Sequence, residues 1–341
     1  MTSAKLASVH PLSSHALYVP TTAFLSACLA IAAMIVTTIG MAPQAKATDQ
    51  PIINVVATTG MIADAARRVG GDHVSVKALM GSGVDPHAYR QTRTDIRAMT
   101  RADLVLWHGL YLEAQMQDFV TDLAKHRNVV AVAETLPKPA LLAHDEYSDK
   151  HDPHVWMDPG LWKGVIEAIR DALIKTAPDH ADAFSANADA HLQELDGLSA
   201  KITSALATVP KQKRVLLTAH DAFKYFGAAY DFEVIGIQGI STESEAGLQR
   251  IRELVDLLVS RKIEAVFVET SVSDRNIKAL IEGAAARGHA VTIGGELYSD
   301  AMGQERTYEG TYNGMIDHTE TTETRALGGT APDRGLAGKQ R

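Results

Sequence analysis

The sequence predicts an α/β fold in which two lobes, each of about four strands with flanking helices, are joined by a long rigid helix. Three observations support this prediction. Short apolar runs alternate with amphipathic stretches along most of the chain, as in β-α-β units. A long helical stretch interrupts this alternation near the middle. The length of 341 residues also exceeds what one hydrophobic core usually supports.

The first 47 residues differ from the rest of the chain. Small and apolar residues fill positions 22–42, and Ala45-Lys46-Ala47 matches the A-x-A pattern of a signal-peptidase site. We therefore expect residues 1–47 to be a cleaved signal peptide and the mature protein to work in the periplasm. The segment Leu25-Ser26-Ala27-Cys28 resembles a lipobox, but most of the apolar run follows Cys28. A lipid anchor at this residue is the weaker alternative.

Composition excludes several classes of protein. Cys28 is the only cysteine, so the mature chain has neither disulfides nor a thiolate to offer a metal. The net charge of −8 argues against a nucleic-acid partner, which would call for a basic face. The same charge is compatible with a protein that handles cations.

The N-terminal lobe is predicted at residues 48–178. Its strands are apolar runs and its helices are amphipathic stretches with apolar residues three or four positions apart. The predicted strands are 52–57, 74–79, 104–107 and 129–133. The predicted helices are 61–69, 94–101, 112–124 and 161–175.

A linking helix is predicted within residues 179–209. From Ala181 to Leu206 the apolar residues recur at spacings of three and four, which gives one continuous apolar face. At 1.5 Å per residue this helix would be roughly 40 Å long and would act as a stiff spine between the lobes. A bundle helix packed wholly within one domain is the alternative interpretation.

The C-terminal lobe is predicted at residues 210–319, where the alternation resumes. The predicted strands are 214–218, 232–237, 265–269 and 290–293. The predicted helices are 222–229, 244–261, 274–287 and 311–319. Residues 320–341 are polar and rich in glycine, so we expect a flexible tail with little to bury.

Four short segments carry metal-type ligands where strands give way to loops, two in each predicted lobe. No two are close enough in sequence to form a local chelate, so the fold would have to assemble any shared site. Ligands of open α/β sheets bind at the carboxyl ends of strands, which places the site in the cleft between the lobes. The segments are Asp85-Pro86-His87-Ala88-Tyr89, Asp152-Pro153-His154-Val155-Trp156, Thr218-Ala219-His220-Asp221-Ala222-Phe223 and Glu296-Leu297-Tyr298-Ser299-Asp300-Ala301-Met302-Gly303.

Each segment alone is a weak signal. A single histidine in a loop is more often a surface or hydrogen-bonded residue than a ligand, and Asp300 could simply cap a helix. The loop that contains His144 and His151 could gather cations, but its composition favours a solvated loop. Asp152 and Asp158 are expected to shape their loop or to steady the imidazoles.

The ordered set of motifs resembles the zinc- and manganese-binding solute-binding proteins of ABC importers, the TroA-like family. The resemblance extends from about residue 53 to about residue 318 and rests on motifs in the family's order. These are Thr59-Gly60-Met61, Asp85-Pro86-His87-Ala88-Tyr89, Gly109-Leu110-Tyr111-Leu112-Glu113, the run from Asp152 to Pro159, His220-Asp221-Ala222-Phe223 and Leu297-Tyr298-Ser299-Asp300-Ala301-Met302-Gly303.

The resemblance implies a metal-binding protein and not an enzyme. In this family the ion lies between the lobes and takes one ligand from each of four motifs, which here correspond to His87, His154, His220 and Asp300. The implied cargo is Zn²⁺ or Mn²⁺, and the implied partner is the membrane permease of an ABC transporter. We expect a monomer that binds no nucleic acid.

The donor set bears on which ion is bound. Three imidazoles and one carboxylate suit borderline-soft divalent ions, and the Irving–Williams order places Zn²⁺ above Mn²⁺. Family members dedicated to manganese commonly have a glutamate where this chain has His220. We therefore expect a protein that binds both ions and prefers zinc.

Two other functions fit part of the pattern. A zinc hydrolase would need an open coordination position and a general base, and Glu113 or Asp221 could supply the base, although no H-E-x-x-H motif occurs. A surface adhesin is the other alternative, because exported members of the family can carry that description. A nucleotide site is disfavoured, since Asp85-Pro86 breaks the glycine pattern that begins at Gly81.

Overall fold

The computed structural model describes residues 52–145 and 147–340. The predicted signal peptide at 1–47, with Cys28, lies outside the described residues. Within the described part, no helix is both long enough and apolar enough to span a membrane.

The first half of the chain forms one parallel sheet of four strands in the order β2-β1-β3-β4. β3 is buried along its whole length, as its sequence Leu-Val-Leu-Trp requires, because helices or loops cover both faces of a parallel sheet. The elements are β1 (Ile53–Ala57), α1 (Gly60–Gly70), β2 (Val74–Ala78), α2 (Arg93–Arg101), β3 (Leu104–Trp107), α3 (Gln117–Ala124) and β4 (Val129–Ala131).

Two long helices follow this sheet, α4 (Pro159–Thr176) and α5 (Ala181–Leu206). α5 is the predicted linking helix, and its 26 residues give a length of about 39 Å. It packs against α4 and α1 of the first half and against the last helix of the chain. A helix that contacts both halves fits the spine interpretation better than a bundle helix within one domain.

The second half contains the four expected strands, but they form two separate parallel pairs, β5–β6 and β7–β8. β5 lies beside β7, so the two pairs are neighbours. The elements are β5 (Val215–Thr218), α6 (Lys224–Tyr230), β6 (Glu233–Gly236), α7 (Leu248–Arg261), β7 (Ala265–Glu269), α8 (Arg275–Ala285), β8 (Thr292–Leu297) and α9 (Tyr312–Ala326).

Two predicted helix starts are wrong because loops precede them. α7 begins at Leu248 and not at 244, since the preceding Gly247 is extended. The helix predicted at 112–124 begins at Gln117, after a short 3₁₀ turn. Leu110 and Tyr111 both have positive φ just before this turn, a backbone conformation that no helix continues.

β8 begins at Thr292, two residues after the predicted start, and continues through Gly294 and Gly295 beyond the predicted end at 293. The glycines are required by close packing. A Cβ atom on Gly295 would lie 2.2 Å from Thr322 Cγ2, and one on Gly294 would lie 2.9 Å from Ala326 Cβ. Both neighbours belong to α9, which therefore lies directly on this strand.

The prediction that the residues from 320 onward have little to bury is also wrong. α9 continues to Ala326, and Glu320 and Glu323 are almost fully buried within it. Burial raises the pKa of both carboxyls well above the usual range, which favours their neutral forms. The chain after α9 packs back against the rest of the protein, and Leu336 and Gln340 are buried there.

Residues from 51 onward form one compact unit. The largest apolar cluster contains residues of the first sheet, of α4 and α5, and of the second half, among them Phe226 and Met315. The two halves therefore share a core. The lobe boundaries at 178 and 209 stay predictions.

Candidate metal centre

The structure brings together the four side chains that the sequence analysis selected. Each of His87, His154, His220 and Asp300 offers one ligand atom, and these atoms all lie within 4.8 Å of one another. All four residues are buried, with Asp300 2% exposed and His87 4% exposed. Such burial of titratable groups is costly unless they are paired or bind a cation.

Strand ends place these residues. His220 follows β5 by two residues, and Asp300 follows β8 by three. His87 lies in the loop after β2, and His154 precedes the short 3₁₀ turn that leads into α4. The carboxyl ends of the parallel strands in the two halves therefore face the same point.

The imidazole Nε2 atoms face one another and the carboxylate. His87 Nε2 lies 3.2 Å from His154 Nε2. Asp300 Oδ1 lies 3.4 Å from His154 Nε2, and Asp300 Oδ2 lies 3.2 Å from His220 Nε2. Neither the Asp300 oxygens nor His220 Nε2 has a well-aligned hydrogen bond among the described residues. Buried polar atoms without hydrogen-bond partners are rare in proteins, and a bound cation would satisfy these.

Two of the histidines are oriented by carboxylates on their opposite ring nitrogen. His154 Nδ1 lies 2.7 Å from Asp152 Oδ1, which also accepts from the His154 backbone N–H. His220 Nδ1 lies 2.5 Å from Glu269 Oε2, and Glu269 Oε1 accepts from the His220 backbone N–H. A proton held on Nδ1 leaves the Nε2 lone pair free to bind a metal.

His87 is held through its backbone. Asp85 Oδ1 accepts from the His87 N–H at 2.8 Å, and the other Asp85 oxygen accepts from the Thr242 hydroxyl at 2.5 Å. Thr242 belongs to the loop before α7. This ligand candidate of the first half is therefore tied to a loop of the second half.

The environment of His87 favours the neutral ring. Burial is the main cause, and the nearby His154 and His220 add to it, while the Asp300 charge acts in the opposite direction. Together they lower the pKa of His87 to about 3. Its Nε2 is therefore available to a metal ion across the physiological pH range.

The other three residues favour charged forms. Burial lowers the pKa of His154, but the charge and hydrogen bond of Asp152 and the nearby charge of Asp300 outweigh it and raise that pKa to about 9. Burial likewise opposes a charge on His220, yet Asp300 and Glu269 raise its pKa well above the usual range. Burial raises the pKa of Asp300, but other effects, led by the charge of His220, outweigh burial and hold this pKa well below its usual range. A cation at this point would replace those protons.

Glu269 is the site residue that the sequence analysis missed. It is the last residue of β7 and is 3% exposed. The only signal was its position at the end of an apolar strand. Asp152 acts as expected on His154, and Asp158 instead caps α4 by accepting from the Gly160 N–H at 2.7 Å.

The residues considered as general bases for a hydrolase have other partners. Both oxygens of Glu113 accept hydrogen bonds, from the Thr58 hydroxyl and from the N–H groups of His108 and Gly109. Asp221 pairs with Lys224 at 2.9 Å. Glu113 therefore holds the loop of His108, whose Nε2 lies 2.7 Å from the Pro153 carbonyl next to His154.

The loop at 141–151 lies at the edge of the site. His144 is buried, which corrects the prediction of a solvated loop at this residue, and Asp145 pairs with Lys224 of α6. A cavity of about 110 Å³ between this loop and residues 240–243 reaches His87. The buried cluster therefore has an adjoining space that opens toward one ligand candidate.

Residues 55–324 match the family model described as zinc-uptake complex component A, periplasmic, or ZnuA. The match spans most of the chain. The chain belongs to the ZnuA family.

Curated relatives of this ZnuA-family chain include the manganese-binding lipoprotein MntA of Bacillus subtilis, 46% identical over 89% of this chain and 98% of MntA. The zinc-binding protein TroA of Treponema pallidum is 44% identical over 83% of this chain and 91% of TroA. The metal ABC transporter substrate-binding lipoprotein SsaB of Streptococcus sanguinis is 29% identical over 80% of this chain and 88% of SsaB.

A solved structure agrees with these comparisons. The periplasmic zinc-binding protein TroA of Treponema pallidum superposes with a TM-score of 0.79, covering 81% of this chain and 99% of TroA. The α/β architecture of this ZnuA-family member is therefore that of TroA. Proteins of the family are substrate-binding components of uptake systems and not enzymes.

Proposed function

We propose that this protein captures a divalent transition metal, Zn²⁺ or Mn²⁺, and delivers it to the permease of an ABC importer. The four proposed ligands are His87, His154, His220 and Asp300. The observation that supports the proposal is that three imidazole nitrogens and a carboxylate oxygen are buried within 4.8 Å of one another. Membership of a zinc-uptake family supports the same conclusion.

The donor set supports a preference for zinc. Imidazole nitrogen suits Zn²⁺, and a site of mixed nitrogen and oxygen donors holds Zn²⁺ more tightly than Mn²⁺. Relatives of similar identity are named for manganese and for zinc, so the names do not decide between the two ions. The chemistry of His220, an imidazole and not a carboxylate, favours zinc.

A transport role fits this arrangement better than hydrolysis. A catalytic zinc keeps one coordination position for water and needs a nearby general base. Here four side chains face one point, and the carboxylates beside it, Asp152 and Glu269, hold histidine rings. Such an arrangement binds an ion without activating a water molecule.

The family's proteins work outside the cytoplasm, either in the periplasm or as lipoproteins. Several curated relatives are named lipoproteins, which counts against the preference for a freely released protein after cleavage at Ala47. We propose that the chain is exported and works at the outer face of the cytoplasmic membrane. Mass spectrometry of the exported protein would show whether Cys28 is retained and acylated.

A competition titration of the metal-free protein tests the proposed function. We expect one Zn²⁺ per chain, displaced only weakly by Mn²⁺, and a loss of affinity of at least tenfold in His220→Ala, since one of four ligands is removed. His126→Ala is the matched control, because His126 is exposed and lies outside the cluster. Absence of zinc binding in the unaltered protein would refute the proposal, and equal losses in the two variants would refute the assigned site.

A further inference from the structure

Asp300 differs from the other members of the cluster in how it is held. The rings of His154 and His220 are fixed by carboxylates, and His87 is fixed through its backbone. The carboxylate oxygens of Asp300 lie near His154 and His220, and neither accepts a hydrogen bond from another described residue. Its position therefore depends on the loop that carries it.

That loop is anchored on both sides of Asp300. Before it, the Ser299 carbonyl accepts from Trp156 Nε1 at 2.7 Å. After it, the chain closes on itself where the Gly303 N–H donates to the Glu309 carbonyl at 2.8 Å. Tyr308, next to this closure, donates its hydroxyl to Asp317 Oδ2 at 2.9 Å. The second anchor therefore ends on Asp317 of α9.

Asp317 also binds the end of the chain. Its Oδ1 accepts from the Leu336 N–H at 2.6 Å and from Gln340 Nε2 at 3.1 Å, and its Oδ2 accepts from the Ala337 N–H at 2.9 Å. Asp317 is 0% exposed, so these bonds are shielded from water. A buried carboxylate deprived of several such donors would be strongly unfavourable.

The backbone conformation at Gly335 allows residues 335–340 to approach Asp317 closely. Gly335 has a φ of +75°, and a Cβ atom there would lie 2.8 Å from Asp317 Oδ1 and 2.5 Å from the Gln340 side chain. Only glycine fits such a close approach in this conformation. Lys339 Nζ lies over the Tyr308 ring at 5.7 Å from its centre, within the distance of about 6 Å at which a cation is attracted to an aromatic face.

We propose that residues 329–340 form a C-terminal strap that acts through Asp317 and Tyr308 to position the loop of Asp300, and so slows release of the bound metal. The inference rests on the proposed function, because it concerns the same cluster. Asp317 is a positioning residue here and touches no ligand atom. Metal sites lose affinity when their ligands are held loosely, which is the physical reason for the effect.

A pair of glycine variants tests the strap. Gly335→Ala places a methyl group against Asp317 and Gln340, whereas Gly338→Ala meets nothing within 4 Å although its φ of +71° is nearly the same. The pair therefore separates loss of the Asp317 contacts from the general strain of a positive φ. Zinc release would be followed with a chelator, and amide hydrogen exchange over residues 300–311 would be measured in the metal-free protein.

We expect Gly335→Ala to release zinc about tenfold faster and to exchange faster over 300–311, with Gly338→Ala close to the unaltered protein. Bound Co²⁺ should also show an altered visible spectrum in Gly335→Ala. Equal release rates in the two variants, or faster exchange without faster release, would overturn the proposal.

Asp317→Asn provides a second variant should Gly335→Ala fold poorly. This substitution keeps the shape of the side chain but replaces one accepting oxygen with an N–H₂ group, which cannot accept the hydrogen bonds that Asp317 receives. We therefore expect the same faster release of zinc as for Gly335→Ala. An unchanged release rate in folded Asp317→Asn would refute the strap. Failure of the unaltered protein to bind zinc would instead refute the proposed function, so the two failures are distinguishable.

Discussion

At the scale of single residues, the carboxylates behind the histidines determine how the site responds to protons. If the three histidines had the reference pKa of about 6.5, protons would compete with the metal ion for them only below about pH 6. The structure changes this expectation, because Asp152 and Asp300 outweigh burial and raise the pKa of His154 to about 9. His220 is shifted in the same direction by Asp300 and Glu269.

We therefore predict that zinc binding releases protons at pH 8. A raised pKa means that the metal-free site holds its protons below that pKa, so zinc affinity rises with pH until about 9 and falls as the pH is lowered. Calorimetry in two buffers with different ionisation enthalpies measures the number released. Between one and two protons are expected at pH 8, and a buffer-independent enthalpy would contradict the prediction.

The identity of residue 220 sets the preferred ion in this account. His220→Glu should shift the relative affinity toward Mn²⁺, because a carboxylate replaces an imidazole in the donor set. The variant also places a carboxylate beside Glu269, whose Oε2 has lost the imidazole Nδ1 as its partner. His220→Glu combined with Glu269→Gln should therefore bind Mn²⁺ more tightly than His220→Glu alone.

Competition between Zn²⁺ and Mn²⁺, followed by equilibrium dialysis, checks this prediction. Glu269→Gln alone is the control for the second change, and it should weaken zinc binding without favouring manganese. An unchanged ratio of the two affinities in His220→Glu would exclude residue 220 from the ligands.

The four ligand candidates could be found from the sequence because each lies in a motif of the family that the chain resembles. Glu269 could not, since its partner His220 is 49 positions away and a glutamate at a strand end has many uses. The buried state of His144 was missed for a similar reason. Contacts between distant segments leave little trace in local residue patterns.

At the scale of elements, the halves are connected next to the cluster. The Tyr225 hydroxyl of α6 donates to the Asp152 carbonyl at 2.8 Å and accepts from the Leu142 N–H. Tyr312 of α9 donates to the Trp156 carbonyl at 2.8 Å. These bonds join the loop of His154 to helices of the second half, so the ligand loops do not move independently.

The packing of α9 on β8 gives a stability prediction. Gly295→Ala would place a methyl group 2.2 Å from Thr322 Cγ2, and such overpacking typically costs 1–3 kcal/mol, so we expect a loss of about 2 kcal/mol. Gly197→Ala in α5 is the matched control, because a Cβ there meets nothing within 4 Å. It should stabilise the protein by about 0.5–1 kcal/mol through helix propensity.

Urea unfolding of the metal-free proteins measures both changes. Similar effects of the two substitutions would show that α9 can move away from β8. The prediction could not be made from the sequence, where Gly294-Gly295 reads as the end of a strand. Their role depends on a helix that follows more than 15 residues later, at Tyr312.

The ends of elements were the least predictable part of the fold. The order of strands and helices followed from periodicity, because each buried face repeats every two or every three to four residues. The end of α9 was misjudged because Glu320, Glu323 and their neighbouring threonines read as a solvated surface. The chain returns after Ala326 and binds this helix at Asp317 and Thr321, which no local pattern indicates.

At the scale of the whole molecule, residues of both halves share one apolar cluster, and the ligand candidates come from both halves. A metal bound there links segments far apart in the chain, and it binds the folded protein in preference to the unfolded one. Zinc at 100 times its Kd should therefore stabilise the protein by about 2.7 kcal/mol. Asp300→Asn should show a much smaller rise in Tm with zinc, which differential scanning calorimetry measures.

The central claim is that one transition metal binds among His87, His154, His220 and Asp300. Anomalous diffraction from crystals of the zinc-loaded protein, recorded on both sides of the zinc absorption edge, tests it most directly. We predict one strong peak at about 2.0–2.2 Å from the three Nε2 atoms and from an oxygen of Asp300. A peak elsewhere, or an ion that any of these four side chains does not contact, would contradict the account.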